Sequence, residues 1–542
     1  MTKFFEYKCG CKFEIIDDVN KRIKFNIDWD NLNLDCQYTW DMISSGNTKG
    51  VFQLESRFPG QQMSKKLKPG NMEELAALIT IIRPGSADAK EDGKSLTDKY
   101  IDRKNGLEPI TYKYPLLKHH LENTYGVMIY QEQSLAIVKD IAGFTGLEAE
   151  GLRKAIGKKL ADKMAEMERL FYEKCKIVGK VTDEQARGIF EWIKAGQKYQ
   201  FNASHAFSYA YLSYITAYAK AHFARNFFAS YLYYAQEKAK PKLEVYELIN
   251  NAKSMDIDVA LPDMRYPKKR FFVEDNKTRF GITDIKSIGD NVYIKLEKRL
   301  SEIAKPIKDW TWLDYLFKFS DAIPSQANEA LINCGALDYQ KMARFKMLYE
   351  YNKFLDLSDK ELKWCRENYT EEDKCLNDVL KKLIAAPVGK LGGMANKNSV
   401  VKIQGLIDAL EHPPHELVDS AEWMSASEEN YLGIAVSCSK VDDKDTAIAN
   451  CSCREFSNRK DYCIIAAKID EVRENVIKNG NSRGAKMGAM TVSDSTCSLS
   501  AVMFGDEYKS YKHMLIEGNT VMLCGEKSKK GDSMVVKKII QI

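Results

Sequence analysis

Two phrases decide how the rest of the chain is read: Gly151-Leu152-Arg153-Lys154-Ala155-Ile156-Gly157-Lys158-Lys159, and Tyr199-Gln200-Phe201-Asn202-Ala203-Ser204-His205-Ala206-Phe207-Ser208-Tyr209. The first sets four basic residues within seven positions, punctuated by two glycines. Arg grips phosphate oxygens through parallel N–H bonds, and Lys supplies a compact point charge. Glycine lets the backbone come close to a bulky anion. The second phrase is an aromatic and polar turn leading into an apolar helix, and its rings offer faces on which a base can stack. Together they read as a nucleotide or nucleic-acid site. With 29% charged residues in the chain, the basic cluster also reads as a solvated helix end.

Working outward, the region from 125 to 240 is helical by pattern. Gln131, Glu132 and Gln133 follow a short apolar run and open a helix. Glu148 to Ala155 forms a short helix whose far end presents Arg153 and Lys154. Lys163 to Lys180 is a long amphipathic helix, with Met164, Met167, Leu170 and Phe171 on one face. Thr182-Asp183-Glu184 supplies an N-cap with acids in the first turn. The tyrosines and alanines from Phe207 to Phe228 read as a packed helix behind the site, with His205 at its mouth. Upstream, Met72, Leu75, Leu78, Ile79 and Ile82 keep helix period up to Arg83-Pro84-Gly85, and Asp102-Arg103-Lys104-Asn105-Gly106 ends a further helix. Arg83 and Arg103 are candidate phosphate contacts, with surface or capping roles as the alternative.

The chain's 542 residues make several domains the expectation, and 44% hydrophobic residues allow buried cores. A net charge of +5 is mild, so any DNA contact rests on local patches rather than a global field. The 13 cysteines are scattered and odd in number, which suits reduced thiols in a cytoplasm-like compartment. No apolar run is long enough for a membrane span. Cys9-Gly10-Cys11 and Cys36 resemble part of a zinc site, but a tetrahedral ion needs four ligands and no local residue completes the set. No metal site is therefore expected there. Cys438, Cys451, Cys453 and Cys463 fit no finger or ribbon spacing either.

Towards the C-terminus the period changes. Cys463 to Ile469, Met487 to Val492, Leu499 to Phe504, Thr520 to Cys524 and Met534 to Ile539 alternate as five strands, with turns at Lys478-Asn479-Gly480 and Lys529-Lys530-Gly531. Five strands with a helix over Glu507 to Leu515, between the third and fourth, predict an OB-fold barrel. Arg473, Lys478, Arg483, Lys486 and Lys527 are its candidate nucleic-acid contacts, or merely solvated loop charges.

The stretches Gly50–Ser56, Tyr125–Gln133, Leu152–Lys159 and Phe201–Tyr209 resemble, in order, fingers-domain motifs of the bacterial DNA polymerase III alpha subunits, the C-family replicative polymerases. The resemblance runs from about residue 45 to the end. It implies a multidomain, mainly α protein with an N-terminal segment at the palm–fingers seam (1–45) and a fingers domain (46–240). Beyond these it implies a helix-hairpin-helix module (241–345), a helical linker region (346–455) and an OB-fold domain (456–542). Arg153, Lys154, Lys158 and Lys159 would then meet the incoming dNTP, with Asn202 and His205 beside it. Phe280 to Gly289 looks like the hairpin that aims N–H groups at a DNA phosphate, so Lys286 and Gly289 join Arg83, Arg103, Arg473 and Lys486 as DNA contacts. Two positions depart from the family pattern: Lys154 replaces a second arginine, and Ala203 stands where lysine is common.

The family's magnesium ions are held by palm carboxylates. Asp28-Trp29-Asp30 has the Asp-x-Asp spacing but precedes the fingers motif as a connector would, so it is not read as the palm pair. No other palm-like pair is apparent, and the resemblance implies a split polymerase. Its PHP and palm half would be a separate chain of the kind a phage or mobile element encodes, in a host cytoplasm, with primer–template DNA and a sliding clamp among the partners the resemblance implies. The alternatives are a non-catalytic DNA-binding replisome scaffold, or a complete enzyme that uses Asp28 and Asp30.

Overall fold

A computed structural model describes residues 4–7, 9–19, 22–83, 85, 89–91, 93–157, 161–196, 199–386, 397–477, 483–528 and 533–542. The chain divides into two compact units, Met1–Ala224 and Arg225–Ile542. Lys158, Lys159 and Lys478 lie outside the described residues.

The first unit is organised around the Ala203–His222 helix, which packs on the helices Met72–Ile81 and Gln37–Ser44. Its buried face is built from small residues at helical spacing, Ala206, Ala210 and Ala217, with Tyr214 and Tyr218 filling the gaps between them. Polar side chains on this helix hold the loop that carries the Gly50–Ser56 phrase. The Ser213 hydroxyl donates to the Phe52 carbonyl at 2.8 Å, and the Thr216 hydroxyl accepts the Phe52 N–H at 3.1 Å. One turn further, the fully buried Lys220 ammonium donates to the carbonyls of Asn47 and Lys49, each at 2.7 Å. Burial pushes the Lys220 pKa well down, with the nearby Lys49 acting in the same direction.

A second core lies under the helices Gln131–Ala142, Gly146–Gly157, Ala161–Val178 and Asp183–Gly196. Ile137, Leu152, Phe171 and Phe190 are among its fully covered side chains. The predicted cap at Thr182 forms: its hydroxyl accepts the Gln185 N–H, and Gln185 reaches back to the Thr182 N–H. The helix expected to run from Phe207 to Phe228 breaks at Phe223, which leaves helical geometry (φ −129°, ψ 44°), and a new helix starts at Ala224. The Phe223 ring packs edge-on to Phe13 at 4.9 Å.

Two of the sequence expectations need correction here. Arg103 is buried, not a surface cation: its guanidinium donates to the Thr111 and Tyr125 carbonyls, the Thr111 hydroxyl and Glu108. It therefore anchors the left-handed Tyr125-Gly126 turn (φ 54° and 77°) that opens the Tyr125–Gln133 phrase. The three N-terminal thiols also do not lack a fourth neighbour. Cys9, Cys11 and Cys36 gather around His222, which lies 186 residues beyond Cys36 and so is invisible to any local spacing rule.

In the second unit, the Ile282–Asp284 turn is followed by Ser287 at φ 77° and by Gly289 as N-cap of the Asp290–Glu302 helix. A Cβ built on Gly289 meets nothing within 4 Å, so this helix start is open. The barrel closes with the strands in the order Lys486–Ser493, Ser498–Phe504, Met534–Gln541, Thr520–Lys527 and Cys463–Val476. Only the Ser498–Phe504 and Met534–Gln541 pairing is parallel within it. The Gly505–Tyr511 helix joins the third strand to the fourth, as expected of an OB-fold. Cys451, Cys453 and Cys463 are core side chains of this barrel. Among the described residues, no helix is long and apolar enough to cross a membrane.

Candidate nucleotide-binding site

The site begins where an extended segment docks on the start of the organising helix. Tyr130 and Phe201 form a parallel bridge: the Gln131 N–H donates to the Phe201 carbonyl at 2.9 Å, and the Phe201 N–H to the Ile129 carbonyl at 3.0 Å. The turn from Tyr199 to Asn202 is thereby fixed against the start of the Gln131–Ala142 helix. Asn202 then caps the Ala203–His222 helix, its side-chain oxygen accepting the His205 N–H at 2.9 Å.

Glu132 orders this cap. Its carboxylate accepts the Asn202 side-chain N–H at 2.7 Å and the Ala203 N–H at 2.8 Å. A negative charge at a helix N-terminus is favourable in itself. The same carboxylate acts on Arg153: Glu150 chiefly raises the guanidinium pKa, and Glu132 adds to it through space. Arg153 forks onto Glu150 with bonds of 2.8 and 2.7 Å, and Lys154 reaches the same carboxylate at 3.6 Å. Glu150 is held down at about 2, first by its hydrogen bonds from Arg153. All three groups face water, so these contacts exchange readily with a competing anion.

The exposed side of the helix carries a ladder of rings at successive turns. The Arg83 guanidinium lies over Phe201 at 4.0 Å. Phe201 meets His205 at 5.2 Å, His205 meets Tyr209 at 4.0 Å, and Tyr209 meets Phe52 at 5.3 Å. His205 and Phe52 are exposed, so two rungs of the ladder are open to a planar ligand. The i, i+4 spacing of His205 and Tyr209 puts them on one face of the helix, and Phe201 just before the cap meets that face.

The structure thus gathers Arg83, Asn202 and His205 at one helix end, where Glu132 orders the cap, while Arg153 makes its hydrogen bonds to Glu150. Lys154 stays solvent-facing on Glu150. Phe201 and Tyr209 belong to the phrase whose rings were read as stacking faces, whereas Glu132 and Phe52 take part although no site role was read for them in the sequence. All four lie in the quoted phrases, but a carboxylate that orders a helix cap carries no mark of a phosphate site. In the second unit, Lys286 donates to Asn430 at 3.0 Å, while Arg473 and Lys486 pair with Glu471 and Glu474 and remain largely exposed. Asp28 sits in a turn rather than a strand, its carboxylate accepting N–H groups from Asp30 and Asn31. It is therefore not presented as a magnesium ligand, and no metal-ligating group of the described residues includes it.

With this geometry in place, the class of the first unit is set by its match to a known family. Residues 12–179 match the model of the bacterial DNA polymerase III alpha subunit finger domain. The wider chain is similar to the DNA polymerase III alpha subunit of Aquifex aeolicus, at 30% identity over 514 residues, covering 94% of this chain and 39% of that protein. It is similar to that of Thermus aquaticus at 30% identity over 545 residues, covering 96% and 40%, and to that of Staphylococcus aureus at 28% over 519 residues, covering 95% and 43%. The chain corresponds to the fingers-to-barrel portion of these bacterial DNA polymerase III alpha subunits, and spans about 40% of the length of the relatives it matches.

Proposed function

We propose that the chain serves DNA replication as the fingers-to-barrel part of a C-family DNA polymerase, binding the incoming dNTP and primer–template DNA while a separate PHP/palm chain supplies the catalytic carboxylates. The observation that supports this reading is the basic phrase at Arg153 and Lys154, within the segment that matches the finger domain, together with the Phe201, His205 and Tyr209 rungs of the ring ladder beyond that segment, where Glu132 orders the Asn202 cap.

Each residue has a role that follows from its chemistry. Arg153 and Lys154 exchange Glu150 for the triphosphate, and Lys158 and Lys159 add charge on the same phrase. A partly exposed ion pair of this kind holds by only about 1 kcal/mol, so a polyvalent phosphate displaces it. Asn202 and His205 lie beside the nucleotide, and the exposed rings present faces for a base. Arg83, Lys286, the open helix start at Gly289, Arg473 and Lys486 contact the DNA backbone. Magnesium, when held by palm carboxylates, neutralises the phosphates and aligns the attacking oxygen; the Asp28 turn does not fit that task.

Primer extension tests the proposal. The purified chain alone should not extend a primer, and adding a PHP/palm chain should restore synthesis that Arg153→Ala then weakens. Robust synthesis by this chain alone would exclude the split arrangement. Unchanged incorporation by Arg153→Ala in the two-chain mixture, with DNA binding retained, would favour a scaffold role instead.

A further inference from the structure

We propose that Cys9, Cys11, Cys36 and His222 form a closed tetrahedral zinc site that staples the N-terminal hairpin and the Cys36 turn to the far end of the Ala203–His222 helix. The ligating atoms of the four residues all lie within 4.8 Å of one another. A tetrahedral ion with Zn–S near 2.3 Å and Zn–N near 2.0–2.1 Å spaces its ligand atoms by roughly 3.5–3.8 Å. The His222 Nε2 lies 3.1 Å from the Cys9 sulfur and 3.7 Å from the Cys36 sulfur, so small side-chain shifts bring the set to that spacing.

The backbone is arranged to deliver each ligand. The strands Phe4–Glu6 and Lys12–Val19 pair as a hairpin, and Tyr7 to Cys11 is its loop. The Tyr7 N–H donates to the Cys11 carbonyl at 2.8 Å, and the Gly10 N–H to the Tyr7 carbonyl at 2.8 Å. Gly10 takes φ 83°, a conformation that favours glycine, and so closes the loop with both thiols beside His222. Cys36 is the N-cap of the Gln37–Ser44 helix, where the positive end of the helix favours a thiolate.

The surroundings are those of a structural metal. The His222 Nδ1 lies 3.0 Å from the Tyr218 carbonyl, which can only accept, so Nδ1 carries the proton and the Nε2 lone pair faces the thiols. Asn33 offers its side-chain N–H to the Cys11 sulfur at 3.8 Å. Tyr218 stacks on the imidazole at 4.1 Å, and Tyr7, Phe13 and Tyr38 surround it edge-on. Cys11, Cys36 and His222 are buried. Four protein ligands in an aromatic shell leave no open position for water, which marks a structural rather than a catalytic site. The other clustered candidate differs in kind: Asp140, beside His119 and His120, already holds the Lys180 ammonium at 2.5 Å.

The test is metal content and spectroscopy on the full chain. Protein purified under reducing conditions should hold about one zinc per chain. The metal-free chain should take up cobalt with the visible bands of a tetrahedral thiolate site. Cys36→Ser and His222→Ala should lose the metal, Cys453→Ser in the barrel should keep it, and His222→Cys should keep it with stronger thiolate-to-cobalt charge transfer. Because the wild-type cobalt spectrum needs no variant, a variant that fails to fold does not shield the proposal. Failure of the metal-free chain to bind zinc or cobalt stoichiometrically would overturn it. So would equal metal content in Cys36→Ser, or a disulfide among Cys9, Cys11 and Cys36 in the reduced preparation.

Discussion

Replacing Glu132 by Ala removes a carboxylate that joins two segments 70 residues apart in sequence. The loss is one hydrogen bond from the Asn202 side chain, one from the Ala203 N–H and a favourable charge at the helix start. Each bond is worth about 1 kcal/mol because water partly replaces it at a half-exposed site. The charge at the helix start adds about 0.5 kcal/mol. The cap should therefore lose about 2.5 kcal/mol of local stability, which is roughly seventyfold in the opening equilibrium. Hydrogen exchange of peptides covering residues 199–209 reads this directly, and these amides should exchange faster by about that factor. Glu132→Gln keeps one acceptor but loses the charge and should show a little over half the effect, about 1.5 kcal/mol. If the cap opens, dNTP affinity should fall in both variants in the same order. Unchanged exchange over 199–209 in Glu132→Ala would refute the reasoning, since the bridge would then hold nothing in place.

Other variants probe separate parts of the account. Glu150→Gln frees the Arg153 fork and should tighten dNTP or inorganic triphosphate binding by a small factor, about two- to threefold, measured by equilibrium titration at low salt. Arg103→Ala strands the Thr111 and Tyr125 carbonyls and should cost about 3 kcal/mol in urea unfolding of the first unit, with no separate change in the salt dependence of DNA binding. Asp284, raised to about 7 mainly by burial against the opposing pull of Arg270 and the Gly281 N–H, gives a pH signature. A carboxyl raised in the folded state stabilises below its unfolded value of 3.8 and loses that contribution as pH rises through about 7. The second unit should therefore weaken between about pH 4 and pH 7, by up to ~4 kcal/mol. Asp284→Asn should flatten this dependence in thermal melts taken across that range.

The barrel was the most legible part of the chain, because alternation with period two is local. All five expected strands lie inside the observed ones. The first strand nevertheless continues to Val476, well past the expected end at Ile469. Its outer half carries Glu471, Arg473, Glu474 and Asn475 and is covered on one side only by the neighbouring strand, with a register shift at Thr491/Val492. Without apolar alternation a strand held by pairing alone leaves no pattern to read. The helices of the first unit were legible for the same reason as the strands, with the cap at Thr182, although the Asn202 cap and the helix start at Ala203 were not read. Arg103 and His222 were not, because burial and partners come from residues far off in sequence or from carbonyls that no side-chain motif reports. The basic phrase was visible at once. The role of Glu132 in ordering the Asn202 cap was not, because a carboxylate carries no mark of a phosphate site.

The most direct measurement of the central claim is photo-crosslinking of an azido-dNTP to the full chain, followed by peptide mapping. The account predicts label on peptides containing residues 150–160 and 199–209, displaced by unlabelled dNTP and reduced in Arg153→Ala. Label confined to other peptides, or unaffected by that substitution, would contradict it.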